Sequence, residues 1–563
     1  MENIISLRGL TFKYKNSKKK AIDSVNLEIG KGKLAVIMGP SSAGKSTLCL
    51  TLNGLIPKLI KGEFHGNVFL AGKKISEHQV SELAPVIGHV FQDFESQLFS
   101  TNVELEVAFG PENLGLERSE IKRRIDNALS LVGLSDFKHR QPATLSGGEK
   151  QRLAIASILS IEPEILCFDE PTTDLDPEGK ENIFRICRKL KKDSSRTMLF
   201  VEHETEEVLD ADLIIIMKDG KILKDGIPEQ IFKDVKLLKD IGIMPPQITE
   251  LFYELGFDEL PLTEDHAVGI IKKRNLKFSK KRYQELIEKD KKRSQNYGNV
   301  IIKIESLHYS YKDGNEILKD ITLSIRKGEF LSIIGSNGGG KTTLAKHFNG
   351  LLLPTEGNIY TNGKNTKESN LKEHSQIVGF VFQNPDHQIF AQTVFEEVSF
   401  TPKLLGLPEQ EIEKRVRESL EAVSMTGFIN ADPFSLTKGE RQRLAVASVL
   451  SAKPEVIVLD EPSTGLDYKE LSSMMELLKN LNSKGHTIII ITHSLHVVAS
   501  YCHRTIVING GEIIFDLTTR EVFQKERELL KAHLKLPRLT SLGNRYGYTL
   551  LSVDEFKQVL EIR

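Results

Sequence analysis

Surplus charge of either sign is missing from this sequence: 76 Lys and Arg stand against 77 Asp and Glu, for a net charge of −1 and a pI of about 7.0. That balance removes the overall basic field expected of a nucleic-acid binder. Long apolar runs are missing too. Segments such as Leu213 to Met217 and Ile488 to Ile491 are far too short to span a bilayer, and they read instead as buried parallel strands. The four cysteines (Cys49, Cys167, Cys187, Cys502) have no paired spacing. That excludes a zinc finger, an iron–sulfur site or a disulfide framework, and fits a reducing cytosol. The opening Met1-Glu2-Asn3-Ile4-Ile5 does not look like a signal peptide. Any membrane association is therefore expected to come through a partner.

What is present is a glycine-rich turn in a telling context. The apolar run Leu34 to Met38 leads into Gly39-Pro40-Ser41-Ser42-Ala43-Gly44-Lys45-Ser46, and Thr47 to Leu52 can continue as a helix. This is G-x-x-x-x-G-K-[ST] between strand and helix, a phosphate-binding P-loop. Glycines let successive backbone N–H groups turn inward, and the helix aims its positive end at the same point. Lys45 can reach β/γ-phosphates, and the Ser46 hydroxyl can hold Mg²⁺. After Phe330 to Ile334 the pattern returns as Gly335-Ser336-Asn337-Gly338-Gly339-Gly340-Lys341-Thr342, followed by Thr343. The chain is expected to bind nucleotide twice.

The repeat organises everything else. Lys45 and Lys341 are 296 positions apart, whereas Gln92 and Gln383, Ser146 and Thr437, and Asp169 and Asp460 are each 291 apart. A five-residue loop difference between Gly54 and Gly66 accounts for the change. Residues 1–230 form the first copy and 299–520 the second. Residues 231–298 read as a small appended subdomain, interrupted by Pro245-Pro246 and Pro261, running into a charged linker over 272–298. Residues 521–563 read as a helical tail. β-rich runs alternate with helical patterns in each copy, which predicts an α/β fold with parallel sheets.

Two apolar strands end in acid pairs, Asp169-Glu170 and Asp460-Glu461. Beside a P-loop, Asp169 and Asp460 fit a Mg²⁺ role, and the following glutamates can orient an attacking water. Leu145-Ser146-Gly147-Gly148-Glu149-Lys150-Gln151-Arg152 and Leu436-Thr437-Lys438-Gly439-Glu440-Arg441-Gln442-Arg443 each precede their acid pair at the same spacing. These motifs together resemble those of ATP-binding cassette (ABC) proteins, and the resemblance covers both halves almost end to end. It implies two tandem P-loop NTPase nucleotide-binding domains, each with a helical subdomain and short C-terminal tail, paired head to tail within one chain. ATP and Mg²⁺ are the implied ligands. Residues 39–46, Asp169 and Glu170 would face Thr437 to Glu440, while residues 335–342, Asp460 and Glu461 would face Ser146 to Glu149.

The same resemblance makes Glu170 and Glu461 general bases and places His203 and His493 at the γ-phosphate. Gln92 and Gln383 would sense Mg²⁺ and the partner, Tyr14 and Tyr311 would stack on adenine, and Asp176 and Asp467 would communicate across the pair. Thr437-Lys438 departs from the usual Ser-Gly, losing a residue that tolerates positive φ. On that ground the site built on the first P-loop is expected to hydrolyse more slowly.

Phe91-Gln92-Asp93-Phe94-Glu95-Ser96-Gln97-Leu98-Phe99 and Phe382-Gln383-Asn384-Pro385-Asp386-His387-Gln388-Ile389-Phe390, with the helical stretches after them, resemble energy-coupling-factor (ECF) importer ATPases, including cobalt-type ones. That implies uptake of a vitamin, vitamin precursor or metal ion. The implied partners are an integral membrane coupling subunit and a small substrate-binding membrane subunit, at the cytoplasmic face of the cell membrane. The first copy departs with Asp93-Phe94 in place of Asn-Pro. A cytosolic twin cassette acting on ribosomes and a conventional sugar-importer twin are the alternatives. No nucleic-acid partner is expected on the charge balance.

Overall fold

The computed structural model describes residues 3–172, 175, 177–192, 196–311, 314–368 and 370–561. Two compact units result. The first comprises Met1–Tyr253 and Phe257–Leu262, the second Glu254–Gly256 and Thr263–Arg563.

In the first unit a six-stranded sheet carries, in order, Lys221–Gly226, Leu213–Lys218, Leu34–Met38, Thr197–Val201, Ile165–Asp169 and Ile87–Val90. All pairs are parallel except the edge pair Lys221–Gly226 with Leu213–Lys218. The central strands are continuous apolar runs because helices and a second sheet cover both faces: every residue of Leu34–Met38, Ile165–Asp169 and Thr197–Val201 is buried. A four-stranded antiparallel sheet, ordered Ile22–Gly30, Asn3–Tyr14, Gly62–Leu70 and Lys73–Lys74, lies alongside in sequence and shares its core. The loop difference between the copies is taken up by the short helix Leu55–Lys58.

The helical lobe is built from Val103–Asn113, Arg118–Val132 and Gly147–Leu159, which pack on one another. In Arg118–Val132 the buried residues Ile125, Ala128, Leu129 and Val132 recur at helical spacing, and Gly133 ends the helix at φ 69°. The second unit repeats the plan with the sheet order Val378–Val381, Val456–Asp460, Thr487–Ile491, Phe330–Gly335, Arg504–Asn509 and Glu512–Thr518.

The repeat continues past each cassette. Helices Pro228–Phe232, Val235–Ile241, Gln247–Glu254 and Glu264–Lys273 and strand Lys277–Phe278 are matched in order by Thr519–Phe523, Glu526–Lys531, Arg538–Asn544, Val553–Val559 and Leu560–Glu561. Inside the second unit the two strands pair antiparallel, Lys277 opposite Glu561 and Phe278 opposite Leu560. Phe278 stacks on Tyr546 and Tyr548 at centroid distances of 4.9 and 5.0 Å. Arg545 bonds Asp265 at 2.6 Å and Glu264 at 3.1 Å, and Lys557 reaches Glu254 at 3.3 Å. The charged stretch is the helix Lys280–Gln295. Most of it is solvated, but it buries Tyr283 and Leu286, and its Asp290 accepts from Arg520 Nε at 2.7 Å. This linker helix thus clusters with the second unit.

Candidate functional site

Each P-loop joins the central strand of its sheet to the helix Lys45–Leu52 or Lys341–Phe348. Close backbone approach dictates the first glycine. A Cβ on Gly39 would sit 2.2 Å from Met217 O, and one on Gly335 would sit 2.0 Å from Ile508 O. Gly44 and Gly340 cap the helices at φ 97° and 96°, left-handed conformations that favour glycine. Ser42 also takes positive φ, at 63°, and Ala43 N bonds Pro40 O, so Pro40, Ser41 and Ser42 curl into one turn. In the second loop Ser336 O accepts from Gly339 N around Asn337 and Gly338.

The two lysines are buried within these turns. Lys45 Nζ donates to Gly39 O and Pro40 O at 3.0 Å each, and Lys341 Nζ donates to Gly335 O and Ser336 O at 3.0 and 2.9 Å. An ammonium thus stands inside a ring of backbone carbonyls and amides, which suits the phosphates of a nucleotide.

The hydroxyl and carboxylate expected to hold Mg²⁺ are already together. Ser46 Oγ donates to Asp169 Oδ1 at 3.1 Å, and Thr342 Oγ1 donates to Asp460 Oδ2 at 2.9 Å. Both are hard oxygen donors of the kind Mg²⁺ takes. Burial pushes each aspartate up from 3.8 to about 6. For an acid so raised, the neutral form holds below about pH 6, and the nucleotide-free fold loses stability as pH rises from about 4 to 6. Nearby Mg²⁺ favours the charged form. Magnesium-dependent ATP affinity is therefore expected to rise about tenfold between pH 5 and 7. Calorimetric titrations at the two pH values test this, and an unchanged Mg²⁺ dependence contradicts it.

The next residues occupy strained backbone. Glu170 and Glu461 have φ of 51° and 49°, a region non-glycine residues rarely enter outside constrained sites. The bend turns the carboxylates out of their strands. Glu170 Oε1 meets His203 Nε2 at 2.8 Å while its Oε2 accepts from Gln92 Nε2 at 2.8 Å. Among the described residues Glu461 uses one oxygen only: Oε2 lies 3.0 Å from His493 Nδ1 and accepts from His493 N at 3.3 Å. Among the described residues Gln383 makes no bond to it, so glutamine, glutamate and histidine are joined in the first cassette but only glutamate and histidine in the second.

Tyr14 and Tyr311 edge the P-loop helices, their hydroxyls 3.1 Å from Thr47 Oγ1 and 3.4 Å from Thr343 Oγ1. Each ring thus bonds the residue next to the hydroxyl expected to hold Mg²⁺.

Ser146 and Thr437 are N-caps of Gly147–Leu159 and Lys438–Leu450, each closing a capping box with Glu149 or Glu440. Lys438 loses no special backbone conformation, contrary to the expectation from its sequence. Gly147 is absent from the positive-φ residues, and both positions open a regular helix. A Cβ at 147 would also meet nothing within 4 Å. Lysine therefore fits without strain, and its side chain lies across Gly465, where an added Cβ would come within 2.2 Å of Nζ. Asp467 caps the following helix Tyr468–Ser483. Asp176 lies outside the described residues.

Sequence reasoning missed Glu202. It is buried at the end of the strand before His203, accepting from Thr172 Oγ1 at 2.6 Å and from the backbone of His203 and Glu204. Burial raises its carboxyl above the usual range. The repeat carried the signal, because the matching residue is Thr492.

Comparisons with known proteins bear on the family. The ABC transporter family model matches residues 22–173 and 318–464. A protein of Caldanaerobacter subterraneus subsp. tengcongensis, provisionally described as an ABC transporter ATP-binding protein, is 52% identical over 98% of both chains. One of Methanosarcina mazei with the same description is 40% identical, covering 99% of this chain and 97% of its own. Among solved structures, CbiO1 of Clostridium perfringens, described as part of the ABC transporter complex CbiONQ, is 38% identical. It aligns to 44% of this chain and 99% of its own, with a TM-score of 0.39.

Proposed function

The chain belongs to the ABC transporter ATP-binding proteins and is an ATPase, and we propose that it energises an ECF-type importer through separate membrane subunits. The observation that supports this reading is a pair of exposed aromatic patches following the two glutamines. Phe99 and Phe109 meet edge to face at 4.7 Å, and Phe390 and Phe400 at 4.8 Å. Phe99 and Phe390 are 62% and 60% exposed. Paired rings left in water at matching places in both cassettes suit an apolar partner surface.

These patches are also coupled to the nucleotide machinery. Glu95, four residues before Phe99, pairs with Lys150 of the first signature helix at 3.0 Å. Asp386, four before Phe390, pairs with Arg441 of the second at 2.8 Å. A shift of either signature helix would therefore drag the patch beside it. On this reading the cassettes pair head to tail, so that each P-loop faces the other cassette's signature turn. The partners are a coupling subunit and a small substrate-binding subunit, at the cytoplasmic face of the membrane.

Within each site the labour divides by position. The loop amides and Lys45 or Lys341 hold the phosphates, and Tyr14 or Tyr311 offers a ring to the base. Ser46 with Asp169, and Thr342 with Asp460, would hold Mg²⁺, which when bound neutralises phosphate charge. Glu170 and Glu461 accept the proton of the attacking water, and His203 and His493 fix the direction of those carboxylates. Cargo would be a vitamin, vitamin precursor or metal ion selected by the membrane subunit.

Tagged pull-down from detergent-solubilised membranes, with mass spectrometry, tests this. A multi-span subunit and a small hydrophobic subunit are expected, and Phe99→Asp with Phe390→Asp should lower their recovery about tenfold or more with an unchanged thermal melt. Recovery of ribosomes and no membrane protein would defeat the importer reading.

A further inference from the structure

A cavity of about 480 Å³ lies between the linker helix Lys280–Gln295 and the second cassette, and no residue of either P-loop lines it. Its volume falls within the range of about 300–1,000 Å³ typical of small-molecule sites. The wall is rich in charge, and the pairing of those charges is uneven. Arg504 takes two carboxylates, Glu329 at 2.8 Å and Asp516 at 2.6 Å. Asp290 is held by Arg520, and Glu521 caps the helix Thr519–Phe523 by accepting from Thr518. Every carboxylate on the wall is thus engaged.

Among the described residues, two guanidiniums on the same wall have no carboxylate partner. Arg293, on the linker helix, bonds the ring of His503 at 3.1 Å. Burial, aided by that cation, holds His503 down at about 4, so the ring is neutral at pH 7. Arg326, at the end of the strand Glu316–Arg326, makes no side-chain hydrogen bond or ion pair among the described residues. The cassette fold does not demand Arg326 or Arg504. The first copy has Gly30 where the second has Arg326, and Leu213 where it has Arg504. Tyr297, half-buried, adds a ring and a hydroxyl to the wall.

We propose that this cavity binds a small organic oxyanion, a molecule whose phosphate or carboxylate group is shared between Arg293 of the linker helix and Arg326 of the cassette. Guanidinium forks suit either group because two parallel N–H donors match two oxygens. The bound molecule ties the linker helix to the cassette edge, so the site reports a cytosolic metabolite at the joint between the two repeats' sequence.

The chain contains no tryptophan, so Tyr297→Trp installs a single indole in the cavity. Full-length protein with both nucleotide sites saturated by Mg-ADP is titrated with glycerol 3-phosphate and, separately, malate, against sodium chloride at matched ionic strength. A saturable fluorescence change is expected with at least one anion, half-complete below about 1 mM and weakened about tenfold or more by Arg293→Ser or Arg326→Ser. The responding anion identifies the group recognised. Calorimetry on the unsubstituted chain repeats the test without the indole. Saturable, arginine-dependent binding in either measurement supports the site. Responses that only follow ionic strength in both, or binding that survives both serine substitutions, overturn it.

Discussion

Glu461→Gln is expected to remove nearly all ATP hydrolysis, by about 10²-fold or more, whereas Glu170→Gln leaves a larger share of the original rate. Both glutamates sit on the same strained bend, so the difference lies in their neighbours. Gln92 and His203 occupy both oxygens of Glu170. Each oxygen thus already accepts one bond, which pins the carboxylate and leaves fewer lone pairs to orient a water. Glu461 bonds His493 through Oε2 only, and its Oε1 accepts from no group among the described residues. On the proposed pairing, the first P-loop would also face the signature turn that carries Lys438, whose ammonium is drawn across Gly465. Steady-state ATPase rates of the two single variants decide the matter. Equal losses would sink the asymmetry, and Lys438→Gly should narrow any gap if the signature contributes to it.

Arg520→Met is expected to give the largest loss of stability. Its guanidinium is 4% exposed and holds Asp290 of the linker helix, Glu555 of the last helix and the backbone of Thr549. Removing one partner of a buried ion pair leaves the others desolvated and unmatched, at a cost of about 3–5 kcal/mol. All three partners belong to the second unit, so its calorimetric transition should fall while that of the first stays in place. Equal shifts of both transitions, or none, would contradict the assignment.

The nucleotide machinery was legible in sequence because it is local. Strand, glycine turn and helix follow one another within 20 residues, and the acid pairs end strands whose apolar runs announce burial on both faces. The repeat offset then placed each partner residue twice. What was not legible depends on distance along the chain. Nothing in Lys289-Asp290-Lys291-Lys292-Arg293 says that Asp290 meets Arg520, 230 residues later, so the stretch read simply as a charged linker. Composition also hid the tail pairing, since two-residue strands carry no periodicity. At Lys438 the expectation of a lost glycine conformation failed because the position opens a helix, where lysine's φ is ordinary. Gln383 looks equivalent to Gln92 by spacing, yet among the described residues only Gln92 bonds its glutamate.

The pairing of Lys277–Phe278 with Leu560–Glu561 bears on how the protein is made. The ribosome delivers Phe278 282 residues before Leu560, a delay of roughly 15–55 s at about 5–20 residues per second. The first cassette can complete its sheet during that interval, but Phe278 must wait with its ring uncovered until Tyr546, Tyr548 and Phe556 emerge. Maturation of the second unit is thus timed by the final stretch of synthesis. An aromatic surface exposed for that long on a nascent chain is a natural client for chaperones.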